Sequence, residues 1–226
     1  MINILRIPPT NKEYILFDLD GTITDPKEGM TKALQYSLKE FGINVENRDD
    51  LAKFIGPPLR DTYKNYYGFN AEETERAVSK NREYFAKVGI FENFLYDGMA
   101  ELLKTLQSVG KQLIVATSKP IVYAERILKH FEVDQYFDFI SGSELDGIRS
   151  KKSEVIKYAL DTMDITELEK VVMIGDRKYD IIGSKEIGVD SIGVLYGYGD
   201  LCELTAAGAT HIVESVNELN ELLIHI

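Results

Sequence analysis

The chain has little of what several common classes of protein need. Cysteine occurs once in 226 residues, at Cys202, which excludes an internal disulfide and a metal site built from several thiolates. Basic residues are in the minority, with 26 Lys and Arg against 37 Asp and Glu, and the formal net charge is -11. Because proteins hold nucleic acid phosphates through clustered Lys and Arg, this balance argues against a nucleic acid polymer as partner.

Long apolar runs are also absent. No stretch reaches the length of a membrane-spanning helix, and the first residues, MINILRIPPTNKEY, lack a basic start followed by an apolar core. The single cysteine fits a reducing compartment. We therefore expect a soluble cytoplasmic protein with no membrane partner. The sequence does not indicate an oligomeric state. The three histidines carry no visible motif: His130, His211 and His225.

Short apolar runs alternate with amphipathic stretches along most of the chain. Alternation of this kind builds a parallel sheet with helices on both faces, so we predict a Rossmann-like α/β fold. At 226 residues the chain suits one large domain, or a core with a smaller insert. The predicted strands are residues 14–17, 112–116, 137–140, 171–174, 191–194 and 211–213.

The stretch between the first two predicted strands differs from the rest. Residues 26–95 hold eleven acidic and eleven basic residues, so the remainder carries the whole net charge of -11. Apolar residues at helical spacing predict helices at 30–41 and 71–88, and no strand is evident. We therefore predict an all-helical cap domain at residues 25–95, inserted into a core domain of residues 1–24 and 96–226.

Two acids, Asp18 and Asp20, follow the first predicted strand in the sequence YILFDLDGT. Residues two apart in an extended chain point the same way, so both carboxylates can face one site before a sharp turn at Gly21. Carboxylates this close raise one another's pKa, which implies a shared proton or a bound cation such as Mg2+. Paired acids also serve glycoside hydrolysis, and an acidic turn in solvent has the same pattern.

Further polar residues follow the other predicted strands. Ligands of open parallel sheets bind beyond the carboxyl ends of the strands, so these residues are candidates for the same site. Thr117 and Ser118 follow the second strand, where a hydroxyl and the free N–H groups of a helix start suit a phosphate oxygen. Thr117 is equally typical of a helix cap.

A lysine and two more acids complete the set. Lys151 and Lys152 both precede a predicted helix, and either is also typical of a solvated surface lysine. We favour Lys152 because it lies nearer the apolar-periodic part of that helix. Asp176 and Asp180, in the sequence GDRKYD, lie four apart on a first helical turn and share one face. Acids also favour helix N-termini through the helix dipole alone.

In this order, DLDGT, Thr117, a lysine at a helix start and GDRKYD resemble the motifs of the haloacid dehalogenase superfamily of phosphohydrolases, over nearly the full chain. The helical insertion straight after the first motif resembles the C1-capped phosphoglycolate phosphatase-like group. Many relatives have a Lys-Pro pair where this chain has Lys151, Lys152 and Ser153. A dehalogenase proper is expected to lack the second acid, so Asp20 argues for phosphoryl transfer.

The resemblance implies a Mg2+-dependent phosphatase for a small phosphorylated metabolite, phosphoglycolate or a nucleoside 5'-monophosphate. It implies that Asp18 attacks phosphorus to form an aspartyl-phosphate, while Asp20 protonates the leaving oxygen and later activates water. Thr117 and Lys152 would bind the transferring oxygens, with Ser118 beside them. Mg2+ would be held by the Asp18 carboxylate, the backbone carbonyl of Asp20 and Asp176, with Asp180 as a further ligand or as a residue that supports the ligands.

The sequence FIGPPLR at residues 54–60 resembles the substrate-specificity loop of that group. The resemblance implies that Gly56 and Arg60 contact the leaving group, although a plain helix-breaking turn has the same composition. A phosphomutase of the β-phosphoglucomutase type is the alternative reaction, and a noncatalytic binding module on the same scaffold is a third interpretation.

Overall fold

The apolar runs of the sequence form a parallel sheet in the computed structural model, which describes residues 12–224. The strands are β1 (Tyr14–Phe17), β2 (Thr24–Asp25), β3 (Phe94–Leu95), β4 (Gln112–Pro120), β5 (Phe139–Ser143), β6 (Val171–Gly175), β7 (Asp190–Val194) and β8 (His211–Val213). Six of them make the main sheet, in the order β5-β4-β1-β6-β7-β8, while β2 and β3 pair antiparallel in a separate ribbon. The predicted α/β fold is confirmed.

Helices connect the strands. They are α1 (Lys27–Lys39), α2 (Leu59–Asp61), α3 (Ala71–Phe85), α4 (Met99–Ser108), α5 (Ile121–His130), α6 (Lys152–Thr162), α7 (Lys178–Ile187), α8 (Leu201–Ala207) and α9 (Val216–Ile224). A 3-10 helix at Arg48–Phe54 precedes α2, and a π-helical turn at Thr62–Tyr66 follows it. Within residues 12–224, no helix has both the length and the apolar composition needed to cross a membrane.

The central strand β1 is buried on both faces, as its unbroken apolar sequence predicts. Ile15 and Phe17 belong to one apolar cluster, which includes residues of α4, α5 and α9. Leu16 points the other way, into a second cluster that includes residues of α6. Because parallel strands β4 and β6 flank β1 in register, residues after the carboxyl ends of all three strands lie at one edge of the sheet.

Between β2 and β3 the chain forms helices joined by turns and irregular loops. We call residues 25–95, which include Asp25 of β2 and both residues of β3, the helical segment. It has an apolar cluster of its own, built from Leu34, Leu38, Leu51, Phe54, Tyr63, Ala77 and Val78. Tyr63 is fully buried within it, and its hydroxyl shares a hydrogen bond with Ser37 Oγ. A separate cluster fits the predicted cap, but the exact division of the chain into two domains stays a prediction.

Several local predictions were wrong. No strand was expected in residues 26–95, yet Phe94–Leu95 pairs with Thr24–Asp25 where the chain leaves and re-enters the core. Strands this short show no period of two in the sequence. The third main-sheet strand was placed two residues early, at 137–140 rather than 139–143. The expectation for the N-terminal sequence falls largely on residues 1–11, and these residues and His225 lie outside the described residues.

Candidate active site

Two neighbouring strands bring three of the predicted acids together. Asp18 directly follows β1, and its backbone N–H still donates to Ile174 of β6 at 2.8 Å. Asp176 directly follows β6, and Asp180 lies on the first turn of α7. One carboxylate oxygen of each of the three acids lies within 4.8 Å of the others. We call these three residues the acid cluster.

The acid cluster is buried, and glycines make room for it. The exposed fractions are 7% for Asp18, 0% for Asp176 and 1% for Asp180. Gly21 has a φ of +82°, and a Cβ there would lie 2.2 Å from Asp176 Oδ2. Only glycine fits at this position, because any side chain would overlap the acid and strain the backbone.

Lys152 places a positive charge between two of the acids. Its Nζ lies 2.8 Å from Asp18 Oδ1 and 2.8 Å from Asp180 Oδ1, and donates to the Ala116 carbonyl at 3.0 Å. Burial lowers the pKa of Lys152, but the two carboxylates raise it by more, so the net shift is upward and the lysine stays charged. Lys151 is exposed, so it is Lys152 that lies in the site.

The surroundings of the other two acids, Asp176 and Asp180, favour the protonated form of each carboxyl group. Burial raises the pKa of Asp176 well above its usual value, and Asp180 and Asp18 raise it further. Burial also raises the pKa of Asp180, to about 6, although Lys152 opposes the shift. Asp176 Oδ2 accepts a hydrogen bond from Tyr198 N at 2.7 Å, whereas its buried Oδ1 has no hydrogen-bond partner among the described residues. Three buried carboxylates beside one lysine favour a bound cation.

Asp20 lies beside the acid cluster, but its carboxylate pairs with a different cation. Lys119 Nζ lies 2.7 Å from Asp20 Oδ2, and both residues are 9% exposed. Burial raises the pKa of Asp20, and this effect exceeds the opposite effect of Lys119. Sequence reasoning missed Lys119, because a lysine after a strand is more often solvated than buried. Its position next to Thr117 and Ser118 was the available signal.

Thr117 reaches the site by a different route from the predicted one. It was expected at a helix start, but it lies within β4, four residues before α5 begins at Ile121. The pairing of β4 with β5 is irregular between Ala116 and Pro120, so the extended chain continues past the predicted strand end. Thr117 is buried and its Oγ1 accepts a hydrogen bond from Lys119 N at 3.2 Å. Free helix N–H groups at Thr117 were therefore wrongly predicted.

A cavity of about 330 Å3 lies between the acid cluster and the helical segment. On the core side it is lined by Lys119 and by six predicted residues: Asp18, Asp20, Thr117, Ser118, Lys152 and Asp180. The helical segment supplies an apolar wall that includes Phe54, Val78 and Phe85. The cavity thus joins the buried charges of the core to an apolar surface of the segment.

Both residues predicted to contact the leaving group also line this cavity. Gly56 lies where the loop 55–58 meets Arg177 of the core, and its φ of +104° favours glycine. Arg60 is held by Glu75 of α3, with its Nε 2.6 Å from Glu75 Oε1 and its Nη2 3.0 Å from Oε2. Arg60 therefore borders the cavity as one half of an ion pair and not as a free cation.

Comparison with known proteins agrees with this arrangement. The family model for haloacid dehalogenase-like hydrolases matches residues 15–194. A 5'-nucleotidase of Pseudomonas aeruginosa is 44% identical over 209 residues, covering 92% of this chain and 94% of that protein. A crystal structure of a predicted phosphatase from Clostridium acetobutylicum is 47% identical, with a TM-score of 0.93 over 95% of this chain and 99% of that one.

A third relative has a different name. The tyrosine-protein kinase PtkA of Mycobacterium tuberculosis is 34% identical over 218 residues, covering 96% of this chain and 74% of that protein. The chain belongs to the haloacid dehalogenase-like hydrolase family, and its relatives place it among the phosphatases of that family. The predicted family and enzyme class are confirmed. The roles of individual site residues stay predictions.

Proposed function

We propose that the protein is a Mg2+-dependent phosphatase that hydrolyses a small phosphomonoester through an aspartyl-phosphate. The acid cluster carries this proposal. Three buried carboxylates converge within 4.8 Å, and the cavity beside them also contains a lysine and a threonine able to bind phosphoryl oxygens. Without a metal ion, mainly the charge of Lys152 would offset the mutual repulsion of these three buried acids.

Mg2+ fits the residues that are present. It prefers oxygen ligands, and the unpartnered Oδ1 of Asp176 is a buried oxygen that lacks a hydrogen-bond donor among the described residues. Asp18, Asp176 and Asp180 would hold the ion, together with the backbone carbonyl of Asp20. When bound, Mg2+ would neutralise the carboxylates and polarise a phosphoryl oxygen.

The side chains suggest one order of events. Oδ1 of Asp18 accepts the Leu19 N–H at 2.7 Å and contacts Lys152, so we assign the attack on phosphorus to Oδ2. The oxygen of the ester leaves with the electron pair of its bond to phosphorus and takes a proton from Asp20. Asp20 then removes a proton from water as the water oxygen attacks phosphorus. The bond between phosphorus and Asp18 Oδ2 breaks, Asp18 leaves as a carboxylate with that electron pair, and phosphate is released. Burial raises the pKa of Asp20, which suits a residue that must first hold a proton.

The helical segment is proposed to act as the cap that selects the substrate. Its wall of the cavity includes the aromatic rings of Phe54 and Phe85, which bury apolar surface on a leaving group. The base of a nucleoside 5'-monophosphate can pack against this apolar wall, whereas phosphoglycolate has no base. We therefore propose a nucleoside 5'-monophosphate as the preferred class, as the name of the relative from Pseudomonas aeruginosa also suggests.

A panel of esters tests the reaction and the preference. Release of inorganic phosphate from 5'-AMP, 5'-UMP, phosphoglycolate and p-nitrophenyl phosphate is measured with Mg2+ and with excess chelator. We expect release only with Mg2+, and a higher kcat/KM for the nucleotides than for phosphoglycolate. Release of phosphate from none of the esters would overturn the proposal. Conversion of β-glucose 1-phosphate to glucose 6-phosphate with a bisphosphate activator, without net release, would instead support the phosphomutase.

Mg2+ binding has a readout independent of activity. A ligand that binds only the folded state at about 100 times its Kd adds about 2.7 kcal/mol to the free energy of unfolding. We expect Mg2+ to raise the Tm of the unmodified protein and to leave the Tm of Asp176→Asn almost unchanged. Without Mg2+, the Asn variant should be at least as stable, because one of the mutually repelling buried acids is gone.

The control for this experiment is Asp161→Asn. Asp161 lies on α6, is 61% exposed, and pairs with Lys157 at 2.9 Å, away from the cavity. This variant should keep the full rise in Tm with Mg2+. An equal rise for Asp176→Asn and Asp161→Asn would remove Asp176 as a ligand.

A further inference from the structure

Arg177 joins the core to the helical segment at the edge of the cavity. It follows Asp176 directly, and its Nη1 donates a hydrogen bond to the backbone carbonyl of Ile55 in the helical segment. Its Nε donates to Glu203 Oε1 at 2.9 Å, and its Nη2 lies 3.4 Å from Glu203 Oε2. The Arg177 side chain is 12% exposed. No role for this arginine follows from the acid cluster or from the proposed reaction.

Glu203 gives the guanidinium a defined direction. Two oxygens of one carboxylate face two nitrogens of Arg177, which is the geometry in which arginine pairs are most specific. Glu203 Oε1 also accepts the Lys178 N–H at 2.9 Å, so the carboxylate is anchored at the start of α7. The Glu203 backbone N–H donates to Asp200 Oδ1 at 2.7 Å, and this hydrogen bond fixes the Glu203 backbone in the first turn of α8. Arg177 is therefore held from the core side before it contacts the loop.

The loop 55–58 packs directly on the stem of Arg177. A Cβ at Gly56 would lie 2.9 Å from Arg177 Cγ, so the backbone there approaches as closely as a glycine permits. Ile55 is 1% exposed, and the two residues after Gly56 are prolines, which limit the conformations open to the loop. Gly56, Pro57 and Pro58 line the cavity. The contact of Arg177 thus lies where a wall of the cavity meets the core.

We propose that Arg177 is a positioning residue that holds the loop 55–58 over the cavity through the Ile55 carbonyl, with Glu203 as its support. The inference rests on the proposed function, because the position of the loop affects turnover only if the cavity binds the substrate. A charge-assisted hydrogen bond is stronger than a neutral one, so its loss should increase opening of the loop. Arg177 does not need to touch the reacting atoms.

Hydrogen exchange tests the contact without any substrate. The variant Arg177→Gln keeps part of the stem but loses the guanidinium. We expect the amides of residues 52–61, except Pro57 and Pro58, which have no N–H, to exchange several-fold faster in Arg177→Gln than in the unmodified protein, in the absence of Mg2+, because local opening governs exchange. Unchanged exchange in this stretch would overturn the proposal.

Arg126→Gln is the matched control. Arg126 lies on α5 of the core, is exposed, and its Nη2 donates to the Ala86 carbonyl of the helical segment at 2.9 Å. The substitution Arg126→Gln therefore removes the same type of contact between the core and the helical segment, but Arg126 does not line the cavity. Exchange at residues 52–61 should match the unmodified protein. If Arg126→Gln accelerated this stretch as much as Arg177→Gln does, the specific role of Arg177 would be disproved.

Kinetics and Mg2+ binding separate positioning from damage to the acid cluster. Loss of a hydrogen bond from a charged donor lowers the fraction of molecules in which the loop 55–58 is held over the cavity. The KM of Arg177→Gln should therefore rise about tenfold or more, with kcat changed much less. Glu203→Gln should have a smaller effect of the same kind. The rise in Tm with Mg2+ should be kept in Arg177→Gln. Loss of that rise, or a fall in kcat at unchanged KM, would show that Arg177 acts through Asp176 and would overturn the proposal.

Failure of the proposed function has a different signature. If the unmodified protein releases no phosphate from any ester, the phosphatase proposal fails. The exchange of residues 52–61 in Arg177→Gln and Arg126→Gln still decides whether Arg177 holds the loop.

Discussion

Replacement of Asp18 by Asn is expected to reduce the rate of phosphate release about 10^4-fold or more, as in other enzymes that lose their nucleophile. The amide cannot form the aspartyl-phosphate. The fold should survive, because Asn keeps the shape of the side chain and an oxygen able to accept the Leu19 N–H, which lies 2.7 Å from Asp18 Oδ1. The measurements are phosphate release for activity and circular dichroism for the fold.

The proposed intermediate can be detected directly. The unmodified protein, mixed with substrate and quenched in acid, should gain the mass of one phosphoryl group, and Asp18→Asn should gain none. Asp161→Asn, the exposed variant on α6, should be labelled like the unmodified protein. Substantial turnover by Asp18→Asn, or labelling of that variant, would remove Asp18 as the nucleophile.

Replacement of Lys152 by Met should cause the second large loss of activity, about 10^3-fold, because it removes a preorganised charge at the reacting centre. The lysine lies 2.8 Å from both Asp18 and Asp180 and is 6% exposed. Breaking a buried ion pair from one side costs about 3–5 kcal/mol, so the metal-free variant should also melt at a lower temperature. Activity and Tm are measured on the same preparation.

The neighbouring lysine gives a matched control for this change. Lys151→Met removes the same formal charge from an exposed side chain one residue earlier in the chain. It should keep nearly full activity and an unchanged Tm. Equal losses in the two variants would mean that net charge, and not the contacts of Lys152, determines activity.

The sequence motifs located much of the site because its parts are local. The pattern YILFDLDGT contains both a buried strand and the two acids at its end, and GDRKYD contains a strand end and a helical first turn. Parallel strands have their carboxyl ends at one edge, so Asp18, Asp176 and Asp180 were expected to meet without knowledge of the exact strand order. The structure brings these three acids within 4.8 Å.

Residues whose surroundings come from distant parts of the chain were harder to predict. Lys119 looks like a surface lysine in sequence, but it is buried against Asp20, which lies three residues after the end of β1, and it lies 4.5 Å from the ring centre of Phe85 in α3. Thr117 was misplaced because the irregular pairing of β4 with β5 extends the strand past the predicted helix start. Neither the burial of a lysine nor an irregular register leaves a periodic signal.

The sequence by itself determined the α/β fold, the family, and the acids that end the strands, because apolar periodicity and short motifs are properties of neighbouring residues. Only the tertiary structure shows that Lys152 and not Lys151 contacts Asp18, that Lys119 pairs with Asp20, and that Arg177 contacts Ile55 and Glu203. These contacts depend on which surfaces exclude water and which distant segments meet. Burial of charge is a property of the packed molecule, and it decides which polar side chains belong to the site.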